Sequence, residues 1–291
     1  MSHILILVAD RTSASLTQAQ IDLARELLSG GPATILADGE AAEFAVAGPP
    51  DLDLLRSALG DAAIDAIAVK PRGRRKALLI ADMDSTIITG ETLDELADFA
   101  GIKDRIAAIT VRAMNGELDF KDALRERVAM LQGLPLAALE ATWERVRLTE
   151  GARELVATMR ARGALTALVS GGFTFFTQRV ADRLGFALHR ANVLLDDGAV
   201  LLGQVAEPIL DREAKLLALN ELAAERGIKL SATLAVGDGA NDLDMLRHAG
   251  LGVAFHAKPI VAAEARARVD HGNLRALLFA QGYRAEDFVT E

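Results

Sequence analysis

Two hydrophobic rhythms divide this chain. Between Glu91 and about Val146, apolar residues recur at every third or fourth position, which predicts four helices: Thr92 to Ala100, Lys103 to Met114, Phe120 to Leu131 and Leu136 to Val146. Gly101, Gly116 and Gly133-Leu134-Pro135 separate them. Around this block the pattern changes. Short unbroken apolar runs at Ala77 to Ala81, Leu165 to Val169, Thr233 to Val236 and Leu251 to Phe255 alternate with helical stretches at Arg153 to Arg162, Thr174 to Leu184, Glu213 to Arg226 and Leu243 to Ala249. A run without polar alternation fits a strand covered on both faces, and strands that alternate with helices predict a parallel sheet. The all-helical block, about residues 88–148, therefore reads as a cap inserted behind the first of these strands. Asn192 to Val205, interrupted at Asp196-Asp197-Gly198, predicts a hairpin.

The first residues follow a third pattern. Ile4 to Val8, Ala33 to Ala37, Glu43 to Ala47 and Ile64 to Val69 read as strands, with helices at Thr17 to Leu28 and Asp51 to Leu59 and a turn at Asp38-Gly39. The order βαββαβ is that of a ferredoxin-like module, and it resembles the small amino-acid-sensing (ACT-like) domains fused to biosynthetic enzymes. Its first loop, Ala9-Asp10-Arg11-Thr12-Ser13, has no glycine for close approach to a ligand, which favours a structural or dimerising role. Pro71 to Lys76 is basic and turn-prone, and reads as a solvated linker. The expected fold is thus α/β: a Rossmann-like parallel sheet with an inserted helical cap over residues 76–291, preceded by a small α+β ferredoxin-like domain over residues 1–71.

Composition narrows the chemistry. There is no cysteine, so disulfides and thiolate nucleophiles are excluded. No basic leader and no span-length apolar run is visible, so the chain reads as soluble and cytoplasmic, with no membrane partner. A formal net charge of −9 argues against nucleic acid. It also means that an anionic substrate needs local cations or a metal.

Three of the apolar runs end in chemistry: Asp82-Met83-Asp84-Ser85-Thr86, Ser170-Gly171-Gly172, and Gly237-Asp238-Gly239-Ala240-Asn241-Asp242. Ligands of parallel sheets bind at the carboxyl ends of the strands. Asp-x-Asp-Ser-Thr on its own fits either a magnesium pattern or a helix N-cap. Together with Lys215, however, these segments stand in the order and spacing of the haloacid dehalogenase-like phosphatases. The chain resembles that family over about residues 76–285, and within it the phosphoserine-hydrolysing branch.

The resemblance implies that Asp82 is the nucleophile and Asp84 the general acid and base. Magnesium (Mg2+) would be held by the Asp82 and Asp238 carboxylates and the Asp84 backbone carbonyl. Ser170, the Gly171-Gly172 turn and Lys215 would bind phosphoryl oxygens. Asn241 fits either a donor at the site or a helix cap, and Asp242 a brace. In the cap, Glu91 would read the substrate ammonium and Arg127 its carboxylate, while Met114 and Phe120 fit either pocket walls or plain cap core. Lys121 and Arg125 read as a solvated helix face. The expected partner is a small phosphorylated metabolite, phosphoserine, with a homodimer through the N-terminal module. Phosphoryl transfer to an alcohol would use the same residues. A non-catalytic sensor would lack Asp82 or Asp84, and both are present.

Overall fold

The computed structural model describes residues 2–114 and 118–290. Its first six elements are β1 (His3–Ala9), α1 (Gln18–Leu27), β2 (Thr34–Ala37), β3 (Ala41–Val46), α2 (Leu52–Leu59) and β4 (Ile64–Val69). They form a four-stranded sheet in the order β2-β3-β1-β4, in which β1 pairs antiparallel with both β3 and β4. This is the ferredoxin-like arrangement. Thr17 opens α1 with a capping box to Gln20, and Asp51 caps α2 through the Leu54 amide.

The six-stranded sheet runs β12-β11-β10-β5-β6-β7, with every pair parallel. Its strands are β5 (Leu78–Ala81), β6 (Leu165–Phe173), β7 (Leu188–Asn192), β10 (Thr233–Gly237), β11 (Leu251–Phe255) and β12 (Ala267–Val269). All four residues of β5 are at 0 % exposure; each large side chain so buried contributes about 1.5–3 kcal/mol. Helices α7 (Ala152–Ala161), α8 (Thr174–Leu184), α9 (Arg212–Glu225) and α10 (Leu243–His248) connect these strands, followed by α11 (Pro259–Glu264) and α12 (Ala276–Ala280).

Between β5 and α7 stand the four cap helices α3 (Thr92–Phe99), α4 (Lys103–Met114), α5 (Phe120–Ala129) and α6 (Ala137–Arg145). A hairpin of β8 (Leu194–Asp196) and β9 (Leu201–Val205) supports them, with Gly133 and Leu136 donating to the Leu201 and Ala199 carbonyls. The expected hairpin from Asn192 is therefore corrected at its start: Asn192 closes β7 in the main sheet, and the hairpin begins at Leu194. Among the described residues no helix is long and apolar enough to cross a membrane.

The two sheets share a core. Strand alternation sends Leu5, Leu7 and Ala9 toward α1 and α2, and Ile6 and Val8 to the opposite face. There, with Ile67 and Ala41, they pack against Leu274, Leu277, Leu278 and Phe279 in and beside α12. The basic linker is not simply solvated. Arg74 ion-pairs with Glu43 and donates to the Phe279 and Ala280 carbonyls at 3.3 Å, tying the sheets together.

Candidate active site

Strand order builds the site before any side chain is considered. β5 lies between β10 and β6, so the carboxyl ends of these three strands and the residues at and beyond them meet at one edge. Asp82 extends the ladder by one residue, its amide donating to Val236 O at 3.0 Å. The chain then leaves in one wide turn, Met83–Ile87, closed by Ile88 N–H on Met83 O at 3.0 Å, with Ser85 at φ +54°. Wide turns of this kind are frequent at functional sites. Its effect here is to separate two carboxylates that lie only two residues apart.

The Asp82 carboxylate turns to Lys215, whose Nζ lies 2.8 Å from Asp82 Oδ1 and 2.6 Å from Asp242 Oδ1. Asp84 turns the other way. Its Oδ1 accepts the amide of Thr92, the first residue of α3, at 2.8 Å, and its Oδ2 lies 3.4 Å from Ser170 Oγ. Gly172 is required beside it, because a Cβ there would come within 2.7 Å of Asp84 Oδ2. The Gly172 amide donates to Ser170 Oγ at 2.9 Å, which fixes that hydroxyl.

Asp82, Asp238 and Asp242 are all buried, and each offers an oxygen within 4.8 Å of the others. Against these carboxylates stands the buried ammonium of Lys215, with the charge of Lys258 acting on Asp238. Burial would lower the Lys215 pKa, but Asp242 and Asp82 overcome it and raise the value. The carboxyl of Asp238 is pushed up to about 8 by burial, then by Asp82, Asp242 and Glu91. Asp84 rises to about 7 through burial and the neighbouring charges of Glu91 and Asp82, and Asp242 to about 6 through burial and Asp82, opposed by Lys215. The site is short of positive charge, and its donors are hard oxygens, which suits a hard divalent cation. Both oxygens of Asp242 are engaged, one by Lys215 and the other by the Gly239 amide at 3.0 Å. Asp82 and Asp238 have the freer oxygens.

The cap reaches this edge. Phe120 lies over Gly171, where an added Cβ would meet its ring at 3.2 Å and Asn241 Nδ2 at 3.9 Å. That places Asn241 beside Ser170-Gly171-Gly172, which the structure sets inside β6, past the Val169 at which the strand was expected to end, where the register shifts. Glu91 accepts the Ser85 hydroxyl at 2.7 Å. The Arg127 guanidinium donates through Nε to its own helix at Ala123 O, 3.1 Å. Burial lowers its pKa while Asp94 and Glu91 pull it up. Among the described residues, no carboxylate makes a salt bridge to Arg127. The Met114 side chain lies outside the described residues. Lys121 and Arg125 are exposed, as expected of a solvated helix face, and pair with Asp211 at 2.9 Å and Glu207 at 2.7 Å, joining cap to core.

A model of the haloacid dehalogenase-like hydrolases matches residues 79–247, from β5 through α10. The chain belongs to the haloacid dehalogenase-like hydrolases. Among its relatives, a phosphoserine phosphatase of Streptomyces coelicolor is 42% identical over 253 residues, 85% of this chain and 62% of that one. A phosphoserine phosphatase of Streptococcus thermophilus is 45% identical over 199 residues, 68% of this chain and 93% of that one. A solved haloacid dehalogenase family hydrolase from Salmonella enterica serovar Typhi superposes with a TM-score of 0.85 at 32% identity, covering 96% of this chain and 98% of that one. The likeness to that hydrolase therefore extends through the N-terminal module as well as the catalytic sheet.

Three contributors were not assigned roles from the sequence. Thr86 places its hydroxyl 3.4 Å from Asp238 Oδ1, and its presence in the Asp-x-Asp-Ser-Thr segment was the available signal. The Thr92 amide holds Asp84, a backbone contact that no residue type announces. Lys258 donates its amide to Asp238 O at 3.2 Å and lowers the Asp238 pKa through its charge. It stands alone in a loop after β11, with no motif to mark it.

Proposed function

We propose that this hydrolase is a magnesium-dependent phosphatase that converts O-phospho-L-serine to L-serine and phosphate in the cytoplasm, the last step of serine biosynthesis. The observation that carries this reading is the separation of Asp82 from Asp84 by the turn at β5. One carboxylate is held by an ammonium, and the other is pushed up to about 7 by burial and Glu91. A nucleophile and a proton donor need different surroundings, and the turn at β5 supplies them: an ammonium beside Asp82 and burial facing Glu91 for Asp84.

In this reading an Asp82 oxygen attacks phosphorus while Asp84 gives its proton to the departing serine oxygen, leaving an aspartyl-phosphate. Asp84, now a base, takes a proton from water as that water attacks the phosphorus, and Asp82 is released. Asp82 and Asp238, with the Asp84 carbonyl, would hold magnesium, which supplies positive charge to the phosphoryl oxygens. Ser170, the Gly171 amide, Lys215 and Asn241 bind those oxygens, and Gly172, whose amide donates to Ser170 Oγ, fixes that hydroxyl beside them. The cap reads the amino acid, with Glu91 for the ammonium and Arg127 for the carboxylate, and Phe120 as a wall. Arg127 suits that role because its planar fork can bind both carboxylate oxygens. We place the domain boundary at residues 71–76. A homodimer would use the outer helices or the edge strand β2 of the N-terminal module, since α12 covers the inner face of its sheet.

The test is phosphate release from L-phosphoserine and from p-nitrophenyl phosphate, with magnesium, with chelator, and with Asp82→Asn. Strong preference for phosphoserine, lost in chelator and in the variant and restored by magnesium, is expected. Activity that persists in chelator would remove the metal from the mechanism. Turnover of the aryl ester alone would overturn the substrate.

A further inference from the structure

Among the residues gathered at the sheet edge, none comes from the N-terminal module. Its polar contacts converge elsewhere, on the chain where the cap joins the core. The cap is carried by two crossing segments, incoming Ile87–Thr89 and outgoing Arg147–Thr149. Ile88 bridges Leu148, Thr89 N–H donates to Arg147 O at 3.0 Å, and Thr149 N–H donates to Ile87 O at 2.9 Å. A pair of strands this short is where a rigid cap would bend.

The outgoing segment is held from outside. Glu150 O accepts the Leu274 amide at 3.0 Å. Gly151, at φ +82°, lies so close to Arg275 that a Cβ would come within 2.6 Å of its amide nitrogen. Residues 270–275 are held in turn by the N-terminal module. Buried Asp65 accepts the Asp270 and Gly272 amides, each at 2.7 Å, and Glu40 takes the Arg275 guanidinium with both oxygens at 2.7 Å. Arg11 reaches the hinge directly, its Nε 2.7 Å from Glu150 Oε1. Ser85 and Thr89 on the incoming side, together with Thr149 and Glu150 on the outgoing side, line a cavity of about 410 Å³ with the module's Asp10 and Thr12. The contacts that grip the hinge fall on its outgoing segment.

We infer that the N-terminal module anchors the cap hinge, with Arg11 and Glu40 as positioning residues that fix the outgoing segment and so set how the cap closes over substrate. The kinetic part rests on the phosphoserine reading; the structural part does not. The Glu43–Arg74 tie supplies a control, because it joins the same module to residues 279–280 and does not reach the hinge.

The experiment uses the full chain with Arg11→Ala, Arg11→Lys, Glu40→Gln and Glu43→Gln. It measures kcat and KM on phosphoserine and p-nitrophenyl phosphate, and hydrogen exchange at the Thr89 and Thr149 amides. Arg11→Ala is expected to raise the phosphoserine KM about threefold, as befits an exposed pair, and Glu40→Gln about tenfold, as befits a buried one. In both, kcat and the aryl ester stay within about twofold, and exchange at the two amides speeds up by similar factors. Arg11→Lys restores most of the effect, and Glu43→Gln shows none. Unchanged exchange in Arg11→Ala and Glu40→Gln overturns the proposal, as does an equal loss on both substrates matched by Glu43→Gln. Should the parent protein fail to use phosphoserine, the substrate reading falls and the exchange measurement still decides the anchor. Arg11 is exposed, so its variants keep the test open if Glu40→Gln does not fold.

Discussion

The sheet edge holds Lys215 and the cap holds Arg127 at the proposed site, and they do so in opposite ways. Lys215 is at 0 % exposure and spans two buried carboxylates, Asp82 and Asp242. Arg127 is partly buried, its Nε turned to a backbone carbonyl. A buried charge with its counter-charges in place is part of the fold. A desolvated guanidinium that makes no salt bridge among the described residues is suited to a carboxylate that arrives from outside. In the proposed reading the difference separates the chemistry, built into the sheet, from the choice of substrate, given to the cap.

The comparison breaks most severely at Lys215. Lys215→Met leaves Asp82 and Asp242 buried without their cation. It should cost about 3–5 kcal/mol of stability, read by denaturant unfolding, and should abolish turnover of both substrates. Arg127→Ala sharpens the contrast. It should lower kcat/KM for phosphoserine about 10–100-fold, the worth of a charged hydrogen-bonded contact, while the aryl ester changes by no more than about threefold. An equal loss on both would place Arg127 with the chemistry. Lys121→Ala, at the exposed seam between cap and core, should have the smallest effect, a change in Tm of about 2 °C or less. Burial would raise the Asp211 carboxyl, but Lys121 and the Ala214 amide hold it below its ordinary value. The pair's contribution is therefore present above the ordinary carboxylate pKa and lost as pH falls through the depressed one. Parent and variant should melt together in acid, and a difference that persists there would assign the effect to packing.

Legibility of the sequence followed burial. The cap helices α3 to α6 match their expected spans to within two residues at each end, because each has one wet face and one dry face and so shows the helical period. Helix α12 gave no such signal. Ala276 to Ala280 are all at 0 % exposure, and a helix dry on every side has no period to read. Strand β7 was hidden for the opposite reason. As an edge strand carrying His189 and Arg190, it is too polar to look like its neighbours. At the site, Asp82, Ser170 and Asp238 were legible because they stand at the carboxyl ends of apolar strands, and Lys215, inside α9, through the resemblance to the family. Lys258, the Thr92 amide and the hinge contacts of Arg11 and Glu40 were not, since they arise from chain segments that only the tertiary structure brings together.

The inner face of the N-terminal sheet has a consequence for how the molecule is made. Ile6, Val8 and Ile67 emerge from the ribosome more than 200 residues ahead of the helix that covers them. Asp65 is synthesised 207 positions before the Gly272 amide it accepts. At about 5–20 residues per second, that face waits about 10–40 s for its cover. During that interval the nascent chain carries a half-finished sheet, and this is the stage at which a chaperone has most to shield.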